Sequence, residues 1–199
     1  MENNLLTERW LSVENPQGAM RRFSLPELFS ALERNEVAAF PALLPHQAAP
    51  FHVWLVQLGC HALETAGQVE NLPPPDPKKP WAMLGRHSPD EWRDMIRGVV
   101  PDYSRKFPLD EPWCLVTDDL NKPAFMQVPA PDGDFADYRG EAQLPDDLDL
   151  LISAKNFDVK SGVMKHPSAE EWIFALISLQ TNSGFLGRGN YGVARQNGG

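Results

Sequence analysis

A chain of 199 residues that is 42% hydrophobic and contains six Trp and ten Phe can bury at least one well-packed core. Its formal net charge of −9 argues against a free-standing nucleic-acid binder, which would need many contacts between basic side chains and phosphates. No apolar run is long enough to serve as a signal peptide or to cross a bilayer, so we expect a cytoplasmic protein that contacts no membrane.

Serine and glutamate three residues apart mark the predicted helix starts. Such pairs precede apolar periodicity at three places and are typical of capping boxes. The pairs are Ser24/Glu27, Ser88/Glu91 and Ser168/Glu171. Between the first two pairs, residues 51–63 are apolar nearly all round, which predicts a central buried helix. The helix after Ser168 carries an apolar stripe that includes Trp172 and Leu176, so we expect both in the core.

Short strands are predicted at residues 10–13, 113–116, 124–128 and 150–152. Prolines cluster at residues 73–80 and again between Pro123 and Pro145, which predicts loops in both regions. Helices with scattered short strands predict an α+β fold, with mixed helices and mostly antiparallel strands in one globular domain.

The last quarter of the chain differs from the rest in charge. Residues 155–199 carry a net charge of +2, whereas the remainder carries −11. No Asp or Glu follows Glu171, and six of the 14 glycines lie in the final sixteen residues. Glycine lets main-chain N–H groups approach a ligand closely. A small basic patch on an acidic body suits a subunit that contacts an anion and gains most of its affinity from partners.

Two segments of this basic region are candidate contacts. Residues 155–160, Lys-Asn-Phe-Asp-Val-Lys, are expected to form an exposed loop, and lysine and asparagine suit contacts with phosphates and grooves. The run that starts at Gly184 has glycines spaced Gly-x-x-Gly-x-Gly, which matches neither a dinucleotide fingerprint nor a Walker loop. Taken alone, each segment is also compatible with an ordinary solvated loop.

Evidence for catalysis or for a metal is weak. Cys60 and His61 are neighbours and so point in different directions on a helix, and the sequence contains no Gly-x-Ser-x-Gly elbow. The acidic residues at 146–149 predict a solvated turn rather than a paired-carboxylate site. The histidines have no metal-ligand spacing, and Cys60 and Cys114 are expected to be reduced and mostly buried.

Four motifs occur in a specific order along the chain. They are Asn-Leu-Leu-Thr-Glu-Arg-Trp-Leu-Ser-Val at 4–13, Pro-Ala-Phe-Met-Gln at 123–127, Lys-Asn at 155–156, and Gly-Phe-x-Gly-x-Gly from Gly184. Together they resemble the CasA family, the large subunit of the type I-E CRISPR surveillance complex Cascade. The resemblance covers essentially the whole chain, but family members are much longer. We therefore expect residues 1–199 to be the N-terminal, DNA motif-recognition domain or part of it, without the family's carboxy-terminal helical bundle.

The resemblance implies a non-catalytic role in a prokaryotic antiviral complex. Such a subunit inspects double-stranded target DNA for a protospacer-adjacent motif, helps to open the duplex and recruits a helicase-nuclease, beside subunits that hold the guide RNA. It further implies DNA contacts, made largely in the minor groove, from two loops. The matching residues are Lys155, Asn156, Phe157, Lys160, Gly184, Phe185, Gly187, Arg188, Gly189, Asn190 and Arg195.

The departures from the family also carry expectations. Cysteine pairs that hold zinc in some relatives have no equivalent here, so we expect no metal and no cofactor. The family's motif-reading lysine and strand-separating glutamine would lie beyond Gly199. Two alternative functions stay open, a protein-interaction scaffold and, with less support, a cytosolic enzyme that uses Cys60 or a carboxylate.

Overall fold

The computed structural model describes residues 3–69, 78, 87–130, 133–134, 142–148 and 166–182. The helices among them are α1 (Leu25–Glu33), α2 (Pro45–Thr65), α3 (Pro89–Gly98), α4 (Tyr103–Lys106) and α5 (Ala169–Asn182). Two short 3₁₀ helices span Glu111–Trp113 and Pro145–Leu148. Strands β1 (Leu11–Glu14) and β2 (Met20–Phe23) form a two-stranded antiparallel sheet. The predicted α+β class is confirmed.

Contacts between Cα atoms divide this domain into two compact units. The hairpin unit consists of Asn4–Ala42 and Leu55–Asp110. The α5 unit consists of Met1–Asn3, Leu43–Trp54 and Glu111–Gly199.

All three predicted serine–glutamate pairs begin helices. The backbone N–H of Ser24 donates to the Glu27 carboxylate at 2.9 Å, at the start of α1. The corresponding distance is 2.7 Å for Ser88, before α3, and 2.6 Å for Ser168, before α5. Each glutamate satisfies an N–H group that the helix itself leaves unpaired, which stabilises the first turn.

The sheet confirms one predicted strand and adds one that was missed. Leu11 and Val13 of β1 are buried, and they lie opposite Phe23 and Arg21 of β2. The strand predicted at 10–13 is thus correct to within one residue. The sequence of β2, Met-Arg-Arg-Phe, shows no alternation of apolar and polar residues, so its pattern does not indicate a strand.

The strands predicted at 113–116 and 124–128 are wrong. Trp113 ends a 3₁₀ helix, and residues 124–127 form a tight turn in which Ala124 and Gln127 exchange backbone hydrogen bonds of 3.1 and 2.9 Å. Met126 has φ of 56° in that turn, a left-handed conformation outside the range of regular β-strands. The strand predicted at 150–152 lies outside the described residues.

Helix α2 contradicts the prediction that residues 51–63 are buried all round. Phe51 and Leu55 are buried, but Val53 is 43% exposed and Val56 is 63% exposed. The helix therefore has one covered face and one open face, although both carry apolar residues. Hydrophobicity alone does not reveal which of two apolar faces is covered.

The core of the hairpin unit forms where α1 packs against α3. The rings of Phe29 and Trp92 stack with centroids 4.6 Å apart. Gly59 of α2 lies against the same Phe29 ring. A Cβ at this position would be only 3.0 Å from the ring. Ser30 and Glu33 of α1 tie down His87, whose carbonyl accepts from Ser30 Oγ at 2.7 Å and whose N–H donates to Glu33 at 2.6 Å. These polar contacts fix the segment that leads into α3.

Candidate nucleic-acid interface

All eleven residues predicted to contact DNA lie outside the described residues. They are Lys155, Asn156, Phe157, Lys160, Gly184, Phe185, Gly187, Arg188, Gly189, Asn190 and Arg195. The described elements on either side are the 3₁₀ helix Pro145–Leu148, which precedes the first segment, and α5, which follows it and leads into the glycine run. These two elements are the anchors of the candidate interface.

The two anchors pack against each other within the α5 unit. Pro145 is buried, and the Asp147 carboxylate accepts hydrogen bonds from the backbone N–H groups of Gln143 and Leu144, both at 2.9 Å. Asp147 is exposed and caps this helix, as expected for an acidic turn rather than a paired-carboxylate site. Leu148, the last described residue before the first candidate segment, thus belongs to an element that Asp147 stabilises.

Helix α5 is held by an apolar stripe. Ile173, Phe174 and Ile177 are at most 1% exposed. The ring of Phe174 meets the ring of Phe51 edge to face, with centroids 5.0 Å apart and planes at 76°. Edge-to-face geometry places the positive rim of one ring against the negative face of the other. Packing therefore holds the middle of the helix that precedes the glycine run.

The predicted core position of Leu176 is confirmed, whereas that of Trp172 is wrong. Leu176 is 8% exposed, but Trp172 is only half-buried. The covered stripe is centred on Ile173, Phe174 and Ile177. Almost every residue from 172 to 179 is apolar, so two overlapping stripes have helical spacing and the sequence does not distinguish them.

A long-range hydrogen bond joins the last turn of α5 to the tight turn at 124–127. Nε2 of Gln180 donates to the carbonyl oxygen of Met126 at 2.8 Å. The N–H of Phe125 donates to the carbonyl of Cys114 at 2.7 Å, and the Phe125 ring is 2% exposed against Trp54. The motif at 123–127 thus holds the last turn of α5, which precedes the glycine run.

A buried carboxylate pairs with the lysine that directly precedes this motif. Glu111 is fully buried, and Nζ of Lys122 lies 2.5 Å from its Oε1. This hydrogen bond and the charge of Glu111 raise the pKa of Lys122. The ammonium is thereby kept protonated beside a carboxylate that the fold removes from water. We interpret this pair as structural support for the turn.

Comparison with known proteins decides the family. The model of a family described as CRISPR-associated protein Cse1 matches residues 4–197. The chain belongs to the Cse1 family. No curated protein and no solved structure matched it.

Membership of the Cse1 family confirms the resemblance to CasA. Cse1 is a CasA-type subunit of the type I-E Cascade, so this chain is a component of CRISPR antiviral defence. Cascade combines several subunits with nucleic acid, and its Cse1 subunits are generally non-catalytic.

The sequence does not predict the contact between Gln180 and Met126 in this Cse1 domain. The two residues are 54 positions apart, and no local pattern links an amide side chain to a distant carbonyl. The available signal was Met126 itself, because it lies in one of the motifs that resemble the family. The composition of that motif, however, predicts a strand rather than a turn.

Other sites in the Cse1 domain are sparse. Cys114 is buried as predicted, but Cys60 is exposed on the open face of α2, which contradicts the prediction that it is buried. Within the described ranges, no group of three or more His, Cys, Asp or Glu side chains is placed to hold a metal ion. None of the helices in the described part of the chain is long and apolar enough to span a membrane.

A second polar cluster lies in the hairpin unit of this Cse1 chain, around Asp110. Its carboxylate accepts from Arg97 Nε at 2.9 Å and Nη2 at 2.7 Å, from the Tyr103 hydroxyl at 3.0 Å and from Asn4 Nδ2 at 3.3 Å. Burial acts to raise the pKa of Asp110, but Arg97 together with the two neutral donors lowers it below its ordinary value. The carboxylate is fully engaged by protein donors, so we assign it a structural role.

This cluster predicts a pH-dependent contribution to stability. Because the pKa of Asp110 is lower in the folded state than in the unfolded state, its contribution is present above the unfolded pKa, about 3.9, and is lost as the pH falls through the folded pKa. Asp110→Asn is expected to lower the melting temperature at neutral pH and to flatten its acid dependence. Melting curves recorded from neutral to acid pH measure both effects.

The control for that experiment is Glu64→Gln, which removes an exposed carboxylate of α2. Its melting temperatures are expected to follow those of the unmodified chain at every pH. If Asp110→Asn also follows the unmodified chain, the carboxylate does not stabilise the fold.

Proposed function

We propose that this Cse1 chain contributes to recognition of the protospacer-adjacent motif, to opening of the adjacent duplex and to recruitment of the helicase-nuclease. In this proposal, residues 1–199 are the N-terminal motif-recognition domain or part of it. Its partners are double-stranded target DNA, the Cascade subunits that hold the guide RNA and the recruited helicase-nuclease. The chain itself performs no chemical step. Membership of the Cse1 family is the observation that carries the proposal.

Charge distribution supports a contact with DNA in the last quarter of the chain. Residues 155–199 carry +2 on a protein whose overall charge is −9. Isolated positive charge on an acidic body favours phosphate at one place and disfavours it elsewhere. Such a distribution suits a subunit that the rest of a complex positions on DNA.

The anchors support the same assignment. The first candidate segment lies between the 3₁₀ helix Pro145–Leu148 and α5, two elements that pack together, and the glycine run follows the turn of α5 that Gln180 holds. Recognition loops that start from rigid elements lose less conformational entropy on binding. Glycine N–H groups and small polar side chains suit the minor groove, whose edges differ little between base pairs.

Removal of the two lysines of the first segment tests the phosphate contact. Lys155→Ala/Lys160→Ala is expected to weaken binding of the assembled complex to target duplex without changing its thermal stability. For each lysine that contacts a phosphate, the slope of log affinity against log salt is expected to fall by about 0.9. Equilibrium binding measured over a range of salt concentrations gives this slope.

The matched control is Arg22→Ala/Lys106→Ala, which removes two charges from exposed positions in the hairpin unit. Duplexes with randomised flanks, presented to each complex, measure the motif preference. If a complex in which both candidate loops are altered still prefers the same flanking sequence, a protein-interaction scaffold would be favoured. An unchanged salt slope in the lysine variant would show that neither lysine contacts a phosphate.

A further inference from the structure

A polar cleft in the hairpin unit is used by none of the contacts described above. It has a volume of about 350 Å³ and lies beside the β1–β2 turn, β2 and the end of α1. The side chains that matter here are Asn15, Gln17, Arg21, Arg34, Asn35 and Glu36. Two are cationic, one is anionic and three are neutral amides that can donate hydrogen bonds.

Arg21 is the central group of the cleft. It is exposed on β2 and has no hydrogen-bond or ion-pair partner among the described residues. It lies opposite Val13 in the sheet, so it shares the face on which Val13 is buried, whereas Arg22 lies opposite Ser12 on the other face. A guanidinium beside a cleft and without a protein partner retains its full capacity to bind an anion.

Two of the other donors, Asn15 and Arg34, are held in place by local structure. Asn15 Oδ1 accepts from the N–H groups of Gln17 and Ala19 at 3.0 and 2.8 Å, which leaves the amino group of Asn15 available. Arg34 donates to Ser30 Oγ at 2.6 Å and to Glu36 Oε1 at 3.0 Å, which uses two of its five N–H groups. These two donors are therefore positioned before any ligand arrives.

Backbone hydrogen bonds satisfy two of the last carbonyls of α1, beside the cleft. Asn35 has φ of 55°, and its N–H donates to the Leu32 carbonyl at 3.0 Å, while the Glu36 N–H donates to the Ala31 carbonyl at 2.9 Å. These bonds satisfy carbonyls that would otherwise concentrate negative charge at the end of the helix. Glu36 is the one acidic side chain that lines the cleft among the described residues, and its partner Arg34 balances it.

We propose that this cleft binds a backbone phosphate of nucleic acid. A planar carboxylate is satisfied by one bidentate arginine, whereas a tetrahedral phosphate accepts hydrogen bonds from several sides. Two arginines and three amides around one cleft match the phosphate better. Arginine, asparagine and glutamine are common phosphate ligands in nucleic-acid complexes. The choice of nucleic acid over an acidic protein rests on the proposed nucleic-acid role of the chain.

Titration of the full chain with inorganic phosphate tests the site directly. The Nε–H signal of Arg21 and the side-chain amide signal of Asn15 are expected to shift saturably in nuclear magnetic resonance spectra. Arg21→Gln is expected to weaken phosphate binding on the order of tenfold, because it removes a charge-assisted contact. Glu36→Gln is expected to tighten it. Arg22→Gln is the matched control, since it removes the same charge from the opposite face of the same strand.

A short single-stranded oligonucleotide and an oligoglutamate peptide then separate the two kinds of partner. The oligonucleotide is expected to shift the same signals and to lose about 0.7 from its salt slope in Arg21→Gln. Binding of the peptide alone would overturn the nucleic-acid assignment, and equal weakening by Arg21→Gln and Arg22→Gln would overturn the cleft. In the assembled complex, Arg21→Gln is expected to lower affinity for all duplexes without altering flank preference. Failure of this site and failure of motif recognition are therefore distinguishable.

Discussion

Gly187→Val and Gly189→Val are each expected to reduce binding of the assembled complex to motif-bearing DNA by roughly 10- to 100-fold, the equivalent of leaving one buried polar group without its hydrogen-bond partner. In the proposed function, the N–H groups of this run approach the minor groove so closely that a branched side chain would prevent contact. Binding to duplexes that carry or lack the motif measures the effect. Thermal melting of the same proteins shows whether the fold has changed.

Two glycines of the described structure provide controls for that experiment. A Cβ at Gly98 would meet nothing within 4 Å, and Gly98 has no positive φ, so Gly98→Val is expected to leave DNA binding unchanged. Gly67 has open space but φ of 68°, so Gly67→Val introduces backbone strain alone. If the glycines of this run are needed only for turns with positive φ, Gly187→Val and Gly189→Val will lower the melting temperature as Gly67→Val does. Normal motif-dependent binding by a stable complex containing Gly187→Val or Gly189→Val contradicts the proposed contact.

Phe174→Ala is expected to destabilise the domain by about 3–5 kcal/mol, because a fully buried aromatic side chain leaves a cavity that its neighbours fill only in part. Phe174 is 1% exposed and loses its edge-to-face contact with Phe51 in this variant. Chemical denaturation, with the free energy of unfolding extrapolated to water, measures the loss.

Trp172→Ala provides the internal comparison, since it removes a larger side chain from the half-buried edge of the same helix. Its effect on the free energy of unfolding is expected to be clearly smaller than that of Phe174→Ala. Equal losses from the two variants would show that the helix buries the stripe predicted from the sequence after all.

The helix starts could be predicted because their determinants are local. A serine N–H and a glutamate three residues later satisfy each other within one turn, whatever the rest of the chain does. Ser24, Ser88 and Ser168 each begin a helix for this reason. The buried face of α5 was less predictable, because Trp172 and Ile173 head two apolar stripes of equal spacing. The choice between them depends on Phe51, more than a hundred residues away.

The strand predictions were wrong for a related reason. Residues 124–128 have the composition of a strand, but Met126 adopts a left-handed conformation that bonds to Cys114 and Gln180 stabilise from outside the segment. Tertiary contacts commonly override intrinsic strand preference. In β2, the arginines hide the strand because Arg21 and Arg22 lie on opposite faces and both are exposed to solvent. Pairing with Leu11 and Val13, rather than its own pattern, makes it a strand.

The candidate site, too, could be predicted only in part. Its type was predictable from the motifs at 4–13, 123–127, 155–156 and the glycine run, and the Cse1 family match confirms the resemblance they carry. The roles of individual residues in the two loops stay predictions. The hydrogen bond between Gln180 and the turn at 124–127 could not be predicted, because it joins two distant segments that share no local pattern.

The hydrogen bond from Gln180 to Met126 also bears on how α5 ends. Helix ends ordinarily open and close faster than helix centres, since their last turn is held by few bonds. Gln180 lies two residues before the end of α5 at Asn182, and its side chain ties that turn to a carbonyl 54 positions away. Fraying at this end therefore requires the long-range bond to break as well. The turn that precedes the glycine run is thus less free to fray than a helix end that only its own backbone bonds hold.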